Sequence, residues 1–113
     1  LEVAHVALER PRPAAEGELD GDRYVGSTTI VVDLAGLSDK LSDLPDAATA
    51  RSVANLAGDD PRVRARARQI AFDEARRRAG AHLIQPEIDL QVRSQGSIVR
   101  FALDVEATVR RNP

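Results

Sequence analysis

The last quarter of the chain carries the clearest pattern of apolar and polar positions. Apolar side chains occupy every second position over Ile84–Val92, and the alternation resumes over Val99–Val109. A period of two is typical of a β-strand with one buried face. The two runs meet at Gln95-Gly96, so they predict a hairpin with one apolar face and one polar face.

The turn position predicts the register of this hairpin. With Gln95-Gly96 as a two-residue loop, Val92 pairs with Val99 and Leu90 pairs with Phe101. All apolar partners then share one face, whereas a slip of one residue would separate them.

The polar face of the hairpin carries charges without a catalytic grouping. The predicted register places Glu87 opposite Asp104, a like-charged and mildly unfavourable pair. Pro86 has no backbone N–H, which favours a sheet edge for the first strand of the hairpin. Any partner of the sheet is therefore expected at an edge or on the polar face.

Two further strands are predicted in the first third of the chain. Leu1–Glu9 alternates loosely, and Tyr24–Leu34 is dense in β-branched residues. The segment between them, residues 14–22, is rich in Glu, Gly and Asp, and we expect it to be a polar loop.

Two helices are predicted in the middle of the chain. The first covers Ala47–Ala57 and ends at Gly58. The second covers Pro61–Ala79, since Asp60 is a suitable N-cap, proline is tolerated at the first helical position, and Gly80 terminates the run.

These elements predict one α+β domain over residues 1–113. About four strands form an antiparallel sheet, in the sequence order β-β-α-α-β-β, with the helices packed on one face. The predicted core consists of Val6, Leu8, Ile30, Val32, Val63, Ile70, Phe72, Ile88, Leu90, Val92, Val99, Phe101, Leu103 and Val105. A chain that starts at Leu1 and lacks methionine is expected to be trimmed, processed or cut from a longer protein.

Composition excludes several classes of chemistry. The chain has no cysteine, which rules out disulfides, thiolate metal sites and cysteine nucleophiles. It has no apolar run of about 18 residues, so no membrane span is predicted, and the compartment stays open between cytoplasm and export after processing. Arginine outnumbers lysine 15 to 1, which favours a GC-rich bacterial genome as the source.

Charge is distributed unevenly along the chain. Residues 1–60 carry five basic and twelve acidic side chains, a net charge of −7, whereas residues 61–113 carry eleven and six, a net charge of +5. Such asymmetry is found in interaction surfaces and also in domains whose own faces attract one another.

Candidate catalytic and metal-binding residues are sparse. His5 and His82 are the only histidines, and no serine–aspartate relay accompanies either. Glu18, Asp20 and Asp22 alternate as in a calcium loop but lack the distal glutamate at fixed spacing, so a solvated loop is the better interpretation.

Three aspartates in the predicted strands raise the question of a carboxylate site. Asp33, Asp89 and Asp104 could form a cluster, but each is explained as a polar residue on the outer face of its strand. The glycines form no phosphate-binding loop. We therefore predict no catalytic residues, metal or cofactor, and we favour a protein that is not an enzyme.

The arginine-rich helix is the one feature with a specific binding interpretation. Seven arginines lie within residues 62–78, and Arg62, Arg66, Arg76 and Arg77 are predicted on one exposed side as binding residues. The net charge of −2 argues against nucleic acid, and so does the lack of aromatic residues interleaved with the arginines to stack bases, since the chain has one tyrosine and two phenylalanines in all.

These observations favour a non-enzymatic protein-interaction or self-assembly module. Its expected partner is protein, either a second copy in a homo-oligomer or another domain of a longer chain that meets the arginines with acidic groups. The first alternative is nucleic-acid or anionic-ligand binding through helix 61–79. The second is a small hydrolase or ligand-binding domain with a pocket between sheet and helices.

Overall fold

The computed structural model describes residues 13–33 and 58–110, which form one four-stranded antiparallel sheet with a helix packed on it. The elements are β1 (Ala14–Asp20), β2 (Arg23–Asp33), α1 (Pro61–Ala79), β3 (His82–Gln95) and β4 (Ile98–Arg110). The strand order across the sheet is β1-β2-β4-β3. This confirms an α+β arrangement of sheet and helix, while the strand predicted over Leu1–Glu9 and the helix predicted over Ala47–Ala57 lie outside the described residues.

The prediction of a polar loop over residues 14–22 is wrong, because most of that segment is strand β1. It pairs along its whole length with β2, from Ala14 opposite Thr29 to Asp20 opposite Arg23. Its sequence gives little hydrophobic signal, and backbone pairing with β2 holds it in the sheet. Gly21 adopts a φ of 64° in the two-residue turn, a conformation that glycine takes without strain.

Tyr24 fills a space left by two glycines on neighbouring strands. Gly17 and Gly26 are directly paired between β1 and β2. The Tyr24 ring lies against both, so that a Cβ at either glycine would overlap its phenol group. The ring is 2% exposed and supplies the packing that two strand glycines lack.

The environment of Tyr24 predicts an alkaline titration. Burial raises the pKa of its phenol above the ordinary value of 10.0, Arg78 opposes the rise and Glu74 adds to it. The folded state favours the protonated phenol. The stability that Tyr24 contributes in this way is therefore present below pH 10 and is lost as the pH rises through the pKa of the phenol in the folded protein. Tyr24 is the only tyrosine and the chain has no tryptophan, so tyrosinate absorbance reports it alone.

We expect the absorbance midpoint of the folded protein to lie above that of the urea-unfolded chain. In Tyr24→Phe the signal disappears, and the part of the alkaline destabilisation that depends on this phenol disappears with it. A folded midpoint at or below 10.0 would show that the ring is solvated.

The hairpin of β3 and β4 keeps the predicted apolar face but not the predicted register. The turn consists of Gly96-Ser97 instead of Gln95-Gly96, and Val92 pairs with Phe101 instead of Val99. Gly96 has a φ of 61°, so the structure places glycine at the turn position that needs positive φ. The partner of each residue therefore differs from the predicted one by two positions. Side chains alternate with a period of two, so this shift leaves the same side chains on the buried face.

Strand β3 lies at a sheet edge, as predicted from Pro86, and is interrupted there. The register shifts between Ile84 and Glu87, and Gln85 has a φ of 51°. This bulge reverses the side-chain alternation, so Leu83 packs against the core and Ile84 is 36% exposed. The prediction that Ile84 shares the apolar face is therefore wrong.

Helix α1 has the predicted bounds and caps. The Asp60 carboxylate accepts a hydrogen bond of 2.9 Å from the Arg62 backbone N–H, which also holds the pKa of Asp60 below its ordinary value. Gly80 ends the helix with a φ of 64°. No helix among the described residues is both long and apolar enough to cross a membrane.

The core lies between α1 and the sheet and largely matches the prediction. Helix α1 contributes a stripe of small buried side chains, namely Val63, Ala67, Ala71, Ala75 and Ala79. Predicted residues that are buried are Ile30, Val32, Val63, Val99, Phe101, Leu103 and Val105, while Ile70, Ile88, Leu90 and Val92 are partly buried against them. Phe72 is half-buried and outside this cluster, because it lies beside the alanine stripe; Val6 and Leu8 are outside the described residues.

Candidate interaction surface

Helix α1 covers one face of the sheet, and the opposite face is exposed. We call this second surface the open face. It consists of the even-numbered residues of β1 and β4, the odd-numbered residues of β2, the odd-numbered residues of β3 from Glu87 onward, and His82 and Ile84 before the bulge. Large apolar side chains lie on it as well as charges, since Val25, Val31 and Ile98 are 39–47% exposed there.

Carboxylates concentrate in two adjacent rows of the open face. One row runs across the four strands as Glu18, Val25, Glu106 and Glu87, and the next as Glu16, Ser27, Asp104 and Asp89. We call the six carboxylates of these rows the acidic band. Arg23 forms a salt bridge with Glu106 at its border.

Like charges face one another directly on the open face. In the pairing of β3 with β4, Glu87 is opposite Glu106, and Asp89 is opposite Asp104. Nearer the hairpin turn, Arg93 is opposite Arg100. Such pairs are each destabilising by a few tenths of a kcal/mol up to about 1 kcal/mol. The predicted pair of Glu87 with Asp104 does not form, and the register shift replaces it with these three.

The three aspartates considered as a carboxylate cluster are brought together only in part. Asp89 and Asp104 are cross-strand neighbours, whereas Asp33 lies near the hairpin turn and accepts a hydrogen bond of 2.9 Å from the Ser97 hydroxyl. All three are exposed, in agreement with their interpretation as outer-face residues.

The other candidate groups of the sequence are dispersed. Glu18 and Asp20 lie on β1 and Asp22 lies in the following turn, not in a loop that wraps an ion. Within residues 13–33 and 58–110, no three histidine or carboxylate side chains are placed to hold a metal. His82 is exposed opposite Arg110, and His5 lies outside the described residues.

A shallow depression lies beside β1 and β2, with a volume of about 630 Å³. Its lining includes Glu16, Glu18, Asp104 and Arg78. Its titratable groups are thus three carboxylates and one guanidinium, which offer charge for binding.

The predicted binding arginines are separated by the helix geometry. Arg62, Arg76 and Arg77 are exposed, but Arg66 is half-buried because it flanks the buried stripe of α1, which corrects its assignment to the outer side. Two of them form ion pairs close to their own positions in the chain: the Arg77 guanidinium lies 3.1 Å from the Glu74 carboxylate, and Arg62 Nε lies 3.7 Å from Asp60 Oδ1.

Two further exposed arginines extend the basic surface of α1. We define the arginine face by the five exposed members, Arg62, Arg68, Arg76, Arg77 and Arg78. Seven arginines against Asp73 and Glu74 give α1 a charge of +5, whereas eight carboxylates against four arginines give the strands −4. Sequence reasoning found the arginines but missed the acidic band, because that band depends on strand β1 and on the register of β3.

Comparisons of this chain with protein-family models, with curated proteins and with solved structures gave no significant match. The chemistry of these two oppositely charged surfaces therefore carries the functional inference.

Proposed function

We propose that this chain is a non-enzymatic protein-interaction module that presents its open face to a basic protein surface. The like-charged cross-strand pairs of the acidic band carry the proposal. A fold that lowers its own stability with such pairs violates a local rule, and such violations are expected where function requires them. Guanidinium or ammonium groups of a partner would turn this repulsion into attraction.

The open face has the size and the mixed chemistry of an interface. Four strands about 4.8 Å apart and about eleven residues long span roughly 700 Å², close to the roughly 800 Å² per partner of a standard interface. Val25 and Val31 give it apolar contact area between the charges. Val25 lies within the acidic band and Val31 is opposite Arg100, so apolar contact area alternates with charge across the face.

The edges of the sheet are less suited to a partner than its face. The outward side chains of β1 include Glu16, Glu18 and Asp20, so two copies paired at this edge would repel one another. On the other edge, Pro86 and the adjacent bulge interrupt β3. Charges, proline and bulges are the devices by which proteins prevent edge pairing.

Neutralising one like-charged pair tests the proposal with two readouts. In Asp89→Asn/Asp104→Asn we expect the free energy of unfolding to rise by about 0.2–1 kcal/mol, since the cross-strand repulsion is removed. We expect binding of a labelled arginine-rich peptide, followed by fluorescence anisotropy, to weaken at the same time. Opposite changes in stability and affinity distinguish a binding surface from a structural one.

The matched control is Asp22→Asn/Asp59→Asn, which removes two exposed carboxylates that lie off the acidic band. It should leave peptide affinity close to that of the parent. Equal losses in the two variants would assign the binding to overall charge, and no binding by the parent at low salt would refute the proposal.

A further inference from the structure

We infer that the basic partner of the open face is the arginine face of a second copy of this chain, so that molecules associate head to tail. This inference rests on the proposed function and names its partner. It is carried by the position of two oppositely charged surfaces on opposite sides of one molecule.

The layers of the fold separate these surfaces. Helix α1 buries Val63, Ala67 and Ala71 against the inner side of the sheet, and the exposed Arg62, Arg68, Arg76 and Arg77 lie outside this buried stripe. Arg78, in the last turn, is the exception, since it lines the depression beside β1 together with Glu16, Glu18 and Asp104. The acidic band lies on the outer side. Apart from Arg78, the arginine face and the acidic band of one molecule are therefore separated by the thickness of the fold, and each can meet another molecule.

Charge complementarity excludes the symmetric pairings of these surfaces. Two arginine faces repel each other, and two open faces bring acidic bands together at the centre of the contact. The pairing of one arginine face with one open face joins opposite charges. Such a contact is heterologous, because each copy uses a different surface, and it extends into a chain of molecules unless rotation closes a ring.

The dimensions predict a weak, electrostatic association. A helix of 19 residues is about 28 Å long, and at a width of about 10 Å it covers roughly 280 Å² of a partner. Both sides together bury roughly 560 Å², below the roughly 1,000 Å² of a stable interface. The consecutive Arg76 and Arg77 fit the acidic band, which is about 14 Å wide across its four strands. Salt should therefore control the affinity strongly.

The test compares association of the full chain at two ionic strengths. At about 0.01 M the Debye length is about 30 Å, and at about 0.15 M it is about 8 Å. We expect sedimentation equilibrium to show concentration-dependent association at the lower ionic strength and at least tenfold weaker association at the higher. Two charge-reversed variants then assign the surfaces: Arg76→Glu/Arg77→Glu on the helix and Asp89→Arg/Asp104→Arg on the sheet.

Each reversed variant alone should associate far more weakly than the parent, because the helix variant lowers the charge of the arginine face from +5 to +1 and the sheet variant lowers that of the acidic band from −6 to −2. An equimolar mixture should associate again, since the acidic band of one variant meets the arginine face of the other. This recovery also shows that both variants are folded. Asp22→Arg/Asp59→Arg changes the net charge as much as the sheet variant does, but off both surfaces, and should associate like the parent.

Three results would overturn the inference. The first is a parent protein that stays monomeric at low ionic strength. The second is a helix variant that self-associates as strongly as the parent. The third is a failure of the two reversed variants to associate when mixed, although each melts cooperatively. Competition with a short DNA duplex adds a further arm, since tighter binding of the duplex than of a second copy would assign the arginine face to nucleic acid. If the parent is monomeric yet still binds the arginine-rich peptide through Asp89 and Asp104, the proposed function stands and the partner is another protein.

Discussion

Replacement of Phe101 with alanine is expected to lower the free energy of unfolding by about 3–5 kcal/mol. Phe101 is 1% exposed and lies on β4, which pairs with β2 on one side and with β3 on the other. Its removal leaves a cavity where the surrounding strands cannot close, because each is held by its neighbours. Small domains are stable by only about 5–15 kcal/mol, so much of the stability would be lost.

Urea unfolding followed by circular dichroism measures this loss. The control is Arg100→Ala at the neighbouring exposed position, which also removes the repulsion from Arg93 and should leave the stability unchanged or slightly higher. A loss below about 1 kcal/mol in Phe101→Ala would mean that this part of the core is loosely packed.

Replacement of Ala71 with leucine is expected to destabilise the fold by about 1–3 kcal/mol through overpacking. Ala71 is completely buried between α1 and the sheet, in the middle of the alanine stripe. A larger side chain there must move the helix away from the sheet, which also loosens the contacts of Ala67 and Ala75.

Ala65→Leu is the matched control, because Ala65 lies on the exposed side of the same helix. Alanine and leucine have similar helix propensities, so the difference between the two variants isolates the packing against the sheet. Thermal melts should separate the two variants by several degrees. Equal melting temperatures would contradict close contact of α1 with the sheet.

The core and the candidate interaction surface are distinct parts of this molecule. The inward side chains of β2 and β4 are buried against α1 almost without exception, and the polar groups among them are the Tyr24 phenol and the Thr28 hydroxyl. The outward side chains of the same strands make little contact with the core, so charged residues at these positions do not disturb its packing. The two core substitutions should therefore change stability with the surface chemistry intact, whereas Asp89→Asn/Asp104→Asn should change binding with the core intact.

Helix α1 could be predicted from the sequence because its signals are local. Asp60, Pro61 and Gly80 act within one helical turn of the ends, and the bounds of Pro61–Ala79 follow from them. The apolar face of the hairpin was predictable for a similar reason, since alternation along one strand specifies its buried side whatever its partner. The position of Arg66 was not, because a shift of one residue in the packed stripe changes which flanking side chains are exposed.

Strand β1 and the register of β3 were decided by tertiary structure. Ala14–Asp20 has little apolar alternation, and its pairing with β2, together with the Tyr24 ring over Gly17 and Gly26, makes it a strand. The acidic band then depends on which residues of different strands become neighbours. A sequence pattern repeats every two residues and cannot distinguish registers that differ by two, so it specified which side chains face outward. Only the turn at Gly96 and the pairing of whole strands decided which of those charges stand opposite one another.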